Sequence, residues 1–217
     1  MTVKAKLGSP VFYNSIGPNP RLVKVFMKEK GIKIPFVDVD LLAGENRQQP
    51  YLAKNSAGQM PCLEIDDGVF IAEILPICEY LNDIFPEGID LFGKTPEERA
   101  ITRMWLRRID YKLDNSIVNG FRFAEGYELF KNRLRVMPQA ADDLKKLGQE
   151  MTLWFDEQMA DGRKYIAGDR LTLADFWAYI IFDFGAGFGQ KVNPEAKRIL
   201  EWMDRMKKEH HSLTEIQ

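Results

Sequence analysis

The stretch that most constrains this chain runs from Pro61 to Phe85. Residues 61–65 and 69–72 are short apolar runs joined by Asp66-Asp67-Gly68, and two such runs about a DG-containing turn predict a β-hairpin. Directly behind them Ile74, Ile77, Cys78, Leu81, Ile84 and Phe85 recur at helical spacing. Pro76 falls in the first turn of that helix, where its missing N–H costs nothing. Upstream, residues 11–14 form an apolar run that stops at residues 15–20, where Gly17, Pro18 and Pro20 forbid regular structure. Residues 21–30 carry Leu22, Val25 and Phe26 on one face with lysines opposite, a helix ended by Gly31. Residues 34–39 read as a strand, and residues 41–58 as polar and irregular with one helical turn. Strand, helix, strand, then strand, strand, helix calls for a mixed four-stranded sheet with helices on both faces.

That order is the thioredoxin-like one, and it defines an α/β domain over residues 1–85. Residues 86–95, rich in Pro and Gly, break the pattern and read as a linker. Residues 96–217 show no strand pattern and read as an all-helical bundle domain. Its first helix opens at Thr95-Pro96 and continues through Ile101, Trp105, Ile109 and Leu113. Leu144 to Phe155 marks a second long helix, Leu173 to Phe184 a third, apolar enough for the bundle centre, and residues 196–209 a last one. Thr172 and Asp175 stand at capping-box spacing, which points to fold stability and not to chemistry. Trp105, Trp154 and Trp177 read as core.

Several function classes fall away on composition. A net charge of −2 with interspersed lysines and acids gives no footprint for nucleic acid. The two histidines, His210 and His211, are adjacent, and Cys62 and Cys78 form no CxxC, so neither a metal site nor a Ser-His-Asp triad is expected. No apolar stretch is long enough for a signal peptide or a membrane span, which places the expected compartment in the cytosol, away from membranes.

Five features in order make the chain resemble the glutathione transferase superfamily, in particular its bacterial members of serine or asparagine type. They are VFYNSIGPNPRLVKVFMKEKGI from Val11, GEN at Gly44 ahead of NSAGQMPCL, IAEILPICEYL from Ile71, the Pro-rich linker, and YIAGDRLTLADF from Tyr165. The resemblance implies an enzyme that activates the thiol of glutathione, its co-substrate, for attack on a small hydrophobic electrophile. It also implies a homodimer. The competing reading is a non-catalytic module of the same fold that binds ligands or proteins.

Residue by residue, the resemblance implies a cis bond before Pro61, with the backbone of Met60 taking the cysteinyl unit as an added strand would. Glu73 and the N–H of Ile74 match the positions that hold the γ-glutamyl group, although Ile74 stands where the family has serine. Gln59 and Asn46 match glycyl contacts. For the thiol itself the usual serine position is Gly17, which leaves Ser15 and the Asn19 amide as catalytic candidates and Tyr13 as third. Met104, Arg108 and Tyr111 on the first long helix are the candidates for the second-substrate pocket.

Overall fold

The computed structural model describes residues 10–216 and divides them into two compact units, one ending at Ile89 and taking in Ile216, the other spanning Asp90–Glu215. The first unit is built on strands β1 (Val11–Asn14), β2 (Phe36–Asp38), β3 (Cys62–Asp66) and β4 (Val69–Ala72), in the order β2-β1-β3-β4. β1 runs parallel to β2 and antiparallel to β3, and β3 is antiparallel to β4, so the sheet is mixed. β2 is shorter than the sequence pattern indicates. Pro35 has no N–H to give a ladder, although its carbonyl still accepts from Phe12 N at 2.9 Å.

Side chains alternate across the pleat. Phe12 and Leu63, paired across β1 and β3, are fully buried on one face, as are Leu22, Val25 and Phe26 of helix α1 (Pro18–Lys30) and Ile77, Cys78 and Leu81 of a later helix (Ile74–Ile84) that packs against α1. On the other face Cys62, Met60, Val39 and Tyr51 form a second cluster, with Tyr13, Leu41 and Phe70 packed against it. Tyr51 comes from helix α2 (Gln49–Leu52), which follows a 3-10 turn, Glu45–Arg47, in the segment read as irregular. α1 stops at Gly31, whose φ of 71° is the left-handed conformation glycine adopts cheaply and whose N–H closes the last turn on Lys28 and Met27. The Ile74–Ile84 helix is α3.

The second unit contains helices α4 (Pro96–Ile109), α5 (Asn115–Phe123), α6 (Tyr127–Phe130), α7 (Ala141–Gln158), α8 (Leu173–Gly187), α9 (Lys197–Glu209) and α10 (Ser212–Glu215). α8 is its centre. From Leu173 to Phe182 every residue is buried, and Phe182 and Tyr179 meet the buried Trp202 of α9 edge-on. α4 and α5 are joined by a π-turn, Asp110–Asp114, that the helical spacing alone does not reveal. Asp110 at the start of that turn accepts the indole N–H of Trp177 at 2.9 Å. Trp105 and Trp177 are core residues, while Trp154 is half-buried. No helix of the described residues is long and apolar enough to cross a membrane.

Candidate active site

The register of the sheet brings three loops together at one end. Tyr13 of β1 faces Cys62 of β3, and Cys62 faces Ala72 of β4. With strands about 4.8 Å apart, the end of β1, the start of β3 and the end of β4 lie side by side. The residues just beyond them are Asn14 and Ser15, Met60 and Pro61, and Glu73.

At the centre is the Met60–Pro61 bond, which is cis. Met60 and Pro61 are both buried, and neither the N–H nor the C=O of Met60 is hydrogen-bonded among the described residues. Beside it, Glu73 takes φ 68° and ψ 136°, a conformation that costs a non-glycine residue on the order of 1–3 kcal/mol and that concentrates at functional positions. Its exposed side chain makes no capping bond to α3. Ile77 N closes on the Glu73 carbonyl at 3.1 Å, and Pro76 has no N–H, so Ile74 and Leu75 supply the open donors of that helix start.

On the other side of Met60 the chain leaves β1 through Ser15 and turns at Gly17. Gly17 has φ 114°, and a side chain there would meet nothing within 4 Å, so backbone conformation and not space calls for glycine. The start of α1 has no side-chain cap. Pro18 and Pro20 carry no N–H and Arg21 N is turned onto Gly17 O at 3.2 Å, so among the first three helical residues only Asn19 brings a donor. Asn19 is half-buried, and its amide has no partner among the described residues.

Ser15 is buried and gives its hydroxyl hydrogen to Val39 O at 2.7 Å, tying the turn to the end of β2. Tyr13 donates to Glu64 Oε2 at 2.8 Å, and desolvation followed by the Glu64 carboxylate raises its pKa above the ordinary phenol value. Lys54 lies 4.9 Å over its ring and 4.8 Å over that of Phe70.

Asn46, expected at the glycyl end, lies inside the loop. It is 3% exposed, its Nδ2 donates to Gly58 O at 2.7 Å, and its Oδ1 reaches neither partner nor solvent, so its side chain braces the loop from inside. Gln59 is exposed at the surface of the same loop. Two residues the sequence reading passed over converge on the Gln59 carbonyl: Tyr51 Oη at 2.7 Å and Asn55 Nδ2 at 2.9 Å. Asn55 opens the NSAGQMPCL stretch, a signal that could have found it, whereas Tyr51 sits on a four-residue helix that gives no periodic signal.

In the helical unit, Met104, Arg108 and Tyr111 fall at i, i+4 and i+7 and share a face of α4 extended into the π-turn. Met104 and Tyr111 are exposed, Arg107 stacks on the Tyr111 ring at 3.7 Å, and Arg108 lies 4.6 Å over Trp105. Among the described residues no three His, Cys, Asp or Glu side chains are grouped as metal ligands. Burial pushes the Cys62 thiol up to about 11 and raises that of Cys78 well above its ordinary value, so both stay protonated at neutral pH.

Two family models match, the glutathione S-transferase N-terminal domain over residues 16–84 and the C-terminal domain over residues 129–209. The chain is 30% identical over 210 residues to glutathione S-transferase 2 of Saccharomyces cerevisiae, covering 94% of this chain and 87% of the relative. Among solved structures it is similar to Gtt2 of Saccharomyces cerevisiae, with a TM-score of 0.86 and 28% identity over 94% of this chain and 99% of that one. It is also similar to a glutathione S-transferase domain-containing protein of Marinobacter aquaeolei VT8, with a TM-score of 0.82 and 32% identity over 90% and 96% of the two chains. The chain belongs to the glutathione S-transferase family, with a thioredoxin-like domain followed by a helical one. Glutathione is that family's co-substrate, and membership supports glutathione transferase activity in general.

Proposed function

We propose that the protein is a glutathione transferase whose thiol-activating group is Asn19. The single observation that carries this reading is the alignment Tyr13–Cys62–Ala72, which sets an uncapped helix start on each side of the cis Met60–Pro61 bond. Met60 offers its unpaired N–H and C=O to the cysteinyl unit in the manner of an added strand. Glu73 pairs with the γ-glutamyl ammonium, and the N–H groups of Ile74 and Leu75 receive its carboxylate at the positive end of α3. Gln59, at the loop surface, meets the glycyl end.

The sulfur then faces the start of α1. A free thiol with a pKa near roughly 8.5 is only a few per cent ionised at neutral pH, and a donor together with a helix N-terminus increases that share. Asn19 supplies both a backbone N–H and a side-chain amide there, whereas the hydroxyl hydrogen of Ser15 is engaged by Val39 and serves to shape the turn. The thiol gives up its proton to solvent. The thiolate attacks the electrophilic carbon, the S–C bond forms, and the leaving group departs with its electron pair. Met104, Arg108 and Tyr111 are the residues of the helical unit assigned to the electrophile, and the working form is a homodimer.

Retention on immobilised glutathione and conjugation of 1-chloro-2,4-dinitrobenzene test this directly. Retention with turnover that falls in Asn19→Ala is the expected result. Retention with no turnover would contradict the catalytic part, and no retention would contradict the site.

A further inference from the structure

The loop that leads into Met60 is held by side chains from within the protein. Asn46 Nδ2 binds Gly58 O at 2.7 Å, Gly58 N binds Asn55 O at 2.9 Å, and Asn55 Oδ1 accepts from Ala57 N at 3.1 Å. The next carbonyl, that of Gln59, takes two donors, the Tyr51 hydroxyl at 2.7 Å and Asn55 Nδ2 at 2.9 Å. A carbonyl oxygen has two lone pairs, so this one is saturated. Tyr51 is 3% exposed and Asn55 is buried, so both donors are themselves fixed by packing.

The Gln59 carbonyl and the Met60 N–H belong to the same peptide unit. That unit is planar and trans, and its C=O and N–H point to opposite sides. Pinning the oxygen from one side therefore fixes the direction of the N–H on the other, and two donors on the oxygen also polarise the amide and strengthen the N–H as a donor. We infer that Tyr51 and Asn55 are positioning residues that aim the Met60 N–H at the cysteinyl carbonyl of glutathione. The inference rests on the glutathione reading above.

Two near-isosteric substitutions each remove one donor, Tyr51→Phe with little else changed and Asn55→Asp with a carboxylate oxygen set against the Gln59 carbonyl in place of the amide. Tyr51→Phe keeps the ring in its cluster with Val39, Met60 and Cys62. Asn55→Asp cannot donate to Gln59 but still accepts from Ala57 N, so the turn survives. Thr95→Ala, which removes the cap of α4, is the stability control. The measurements are glutathione binding by calorimetry, the KM for each substrate, kcat, and Tm. Either loop variant is expected to raise Kd and KM for glutathione about fivefold, the scale of one lost hydrogen bond, with KM for the electrophile and kcat at saturating glutathione within about twofold of wild type. Thr95→Ala should lower Tm and leave KM for glutathione unchanged. Wild type that fails to bind glutathione overturns the glutathione reading and this inference with it. Wild type that binds, with both variants lowering Tm but holding KM for glutathione, overturns the positioning role alone.

Discussion

The two units differ at the starts of their capped and uncapped helices: α5, α6 and α7 of the second unit have no side-chain cap, but α4, α8 and α9 are closed. In the second unit the chain closes the starts of three helices with its own side chains. Thr95 and Glu98 cap α4 reciprocally, the Asp175 carboxylate accepts from Thr172 N at 2.9 Å and Thr172 Oγ1 at 3.0 Å at the start of α8, and Asp156 Oδ1 accepts both Arg198 N at 2.7 Å and Ile199 N at 3.1 Å at the start of α9. α7 has no side-chain cap, but it continues directly from a 3-10 turn, Pro138–Ala140. In the first unit α1 and α3 both start at a residue of positive φ, Gly17 and Glu73, with no side-chain cap and with proline in the first turn. Helix starts leave unpaired donors that something must satisfy. A start closed by its own side chains holds the fold, while an open one is available to the anionic ends of a ligand.

The closed starts can be broken hardest at Asp175. Its fully buried carboxylate accepts from Ile166 N at 2.8 Å, Thr172 N at 2.9 Å, Thr172 Oγ1 at 3.0 Å and Trp202 Nε1 at 3.3 Å. Asp175→Ala orphans all four donors and should cost about 3–4 kcal/mol, or roughly 10 °C in Tm by calorimetry, with glutathione affinity unchanged at a temperature where both proteins are folded. Asn19→Ala tests an open start. It should lower kcat about 10- to 100-fold and move the pH profile of kcat/KM upward, while Tm stays near wild type.

Asp114 sharpens the comparison, because in the unit where α4, α8 and α9 have closed starts its Oδ1 has neither a hydrogen-bond partner nor solvent. Desolvation pushes its pKa up to about 6, with Arg122 opposing and Asp110 adding to the rise. The unfolded value is near 3.9, so between about pH 4 and 6 the folded chain binds the extra proton and stability falls as pH rises. Asp114→Asn should therefore be more stable than wild type by roughly 1–2 kcal/mol at pH 7.5, with the gain disappearing near pH 4, in denaturant titrations at both pH values. The smallest effect belongs to Thr95→Ala, about 1 kcal/mol at an exposed cap.

How much of this could be read from the residues follows the same division. The capping box at Thr172 and Asp175, the DG hairpin and the long apolar helices are local signals, and all are present in the structure. So is the mixed four-stranded sheet, since the element sequence leaves few topologies open. The π-turn at Asp110–Asp114 was not legible, because Ile109 and Leu113 keep the same spacing through it. Hydrogen-bond direction was not legible either. Ser15 and Asn46 are polar residues in turns, and only the folded chain shows that Ser15 turns to Val39 and Asn46 to Gly58. Tyr51 escaped because one aromatic on a single helical turn has no periodicity to announce it.

In the proposed site the open helix starts and the Met60 peptide receive glutathione. Titrating the 15N-labelled protein with glutathione and following backbone amide resonances tests it most directly. The largest shifts are expected at Asn19, Met60, Ile74 and Leu75, with the first-turn amides of α4, α8 and α9 unmoved. Saturable binding that leaves those four amides in place would contradict it.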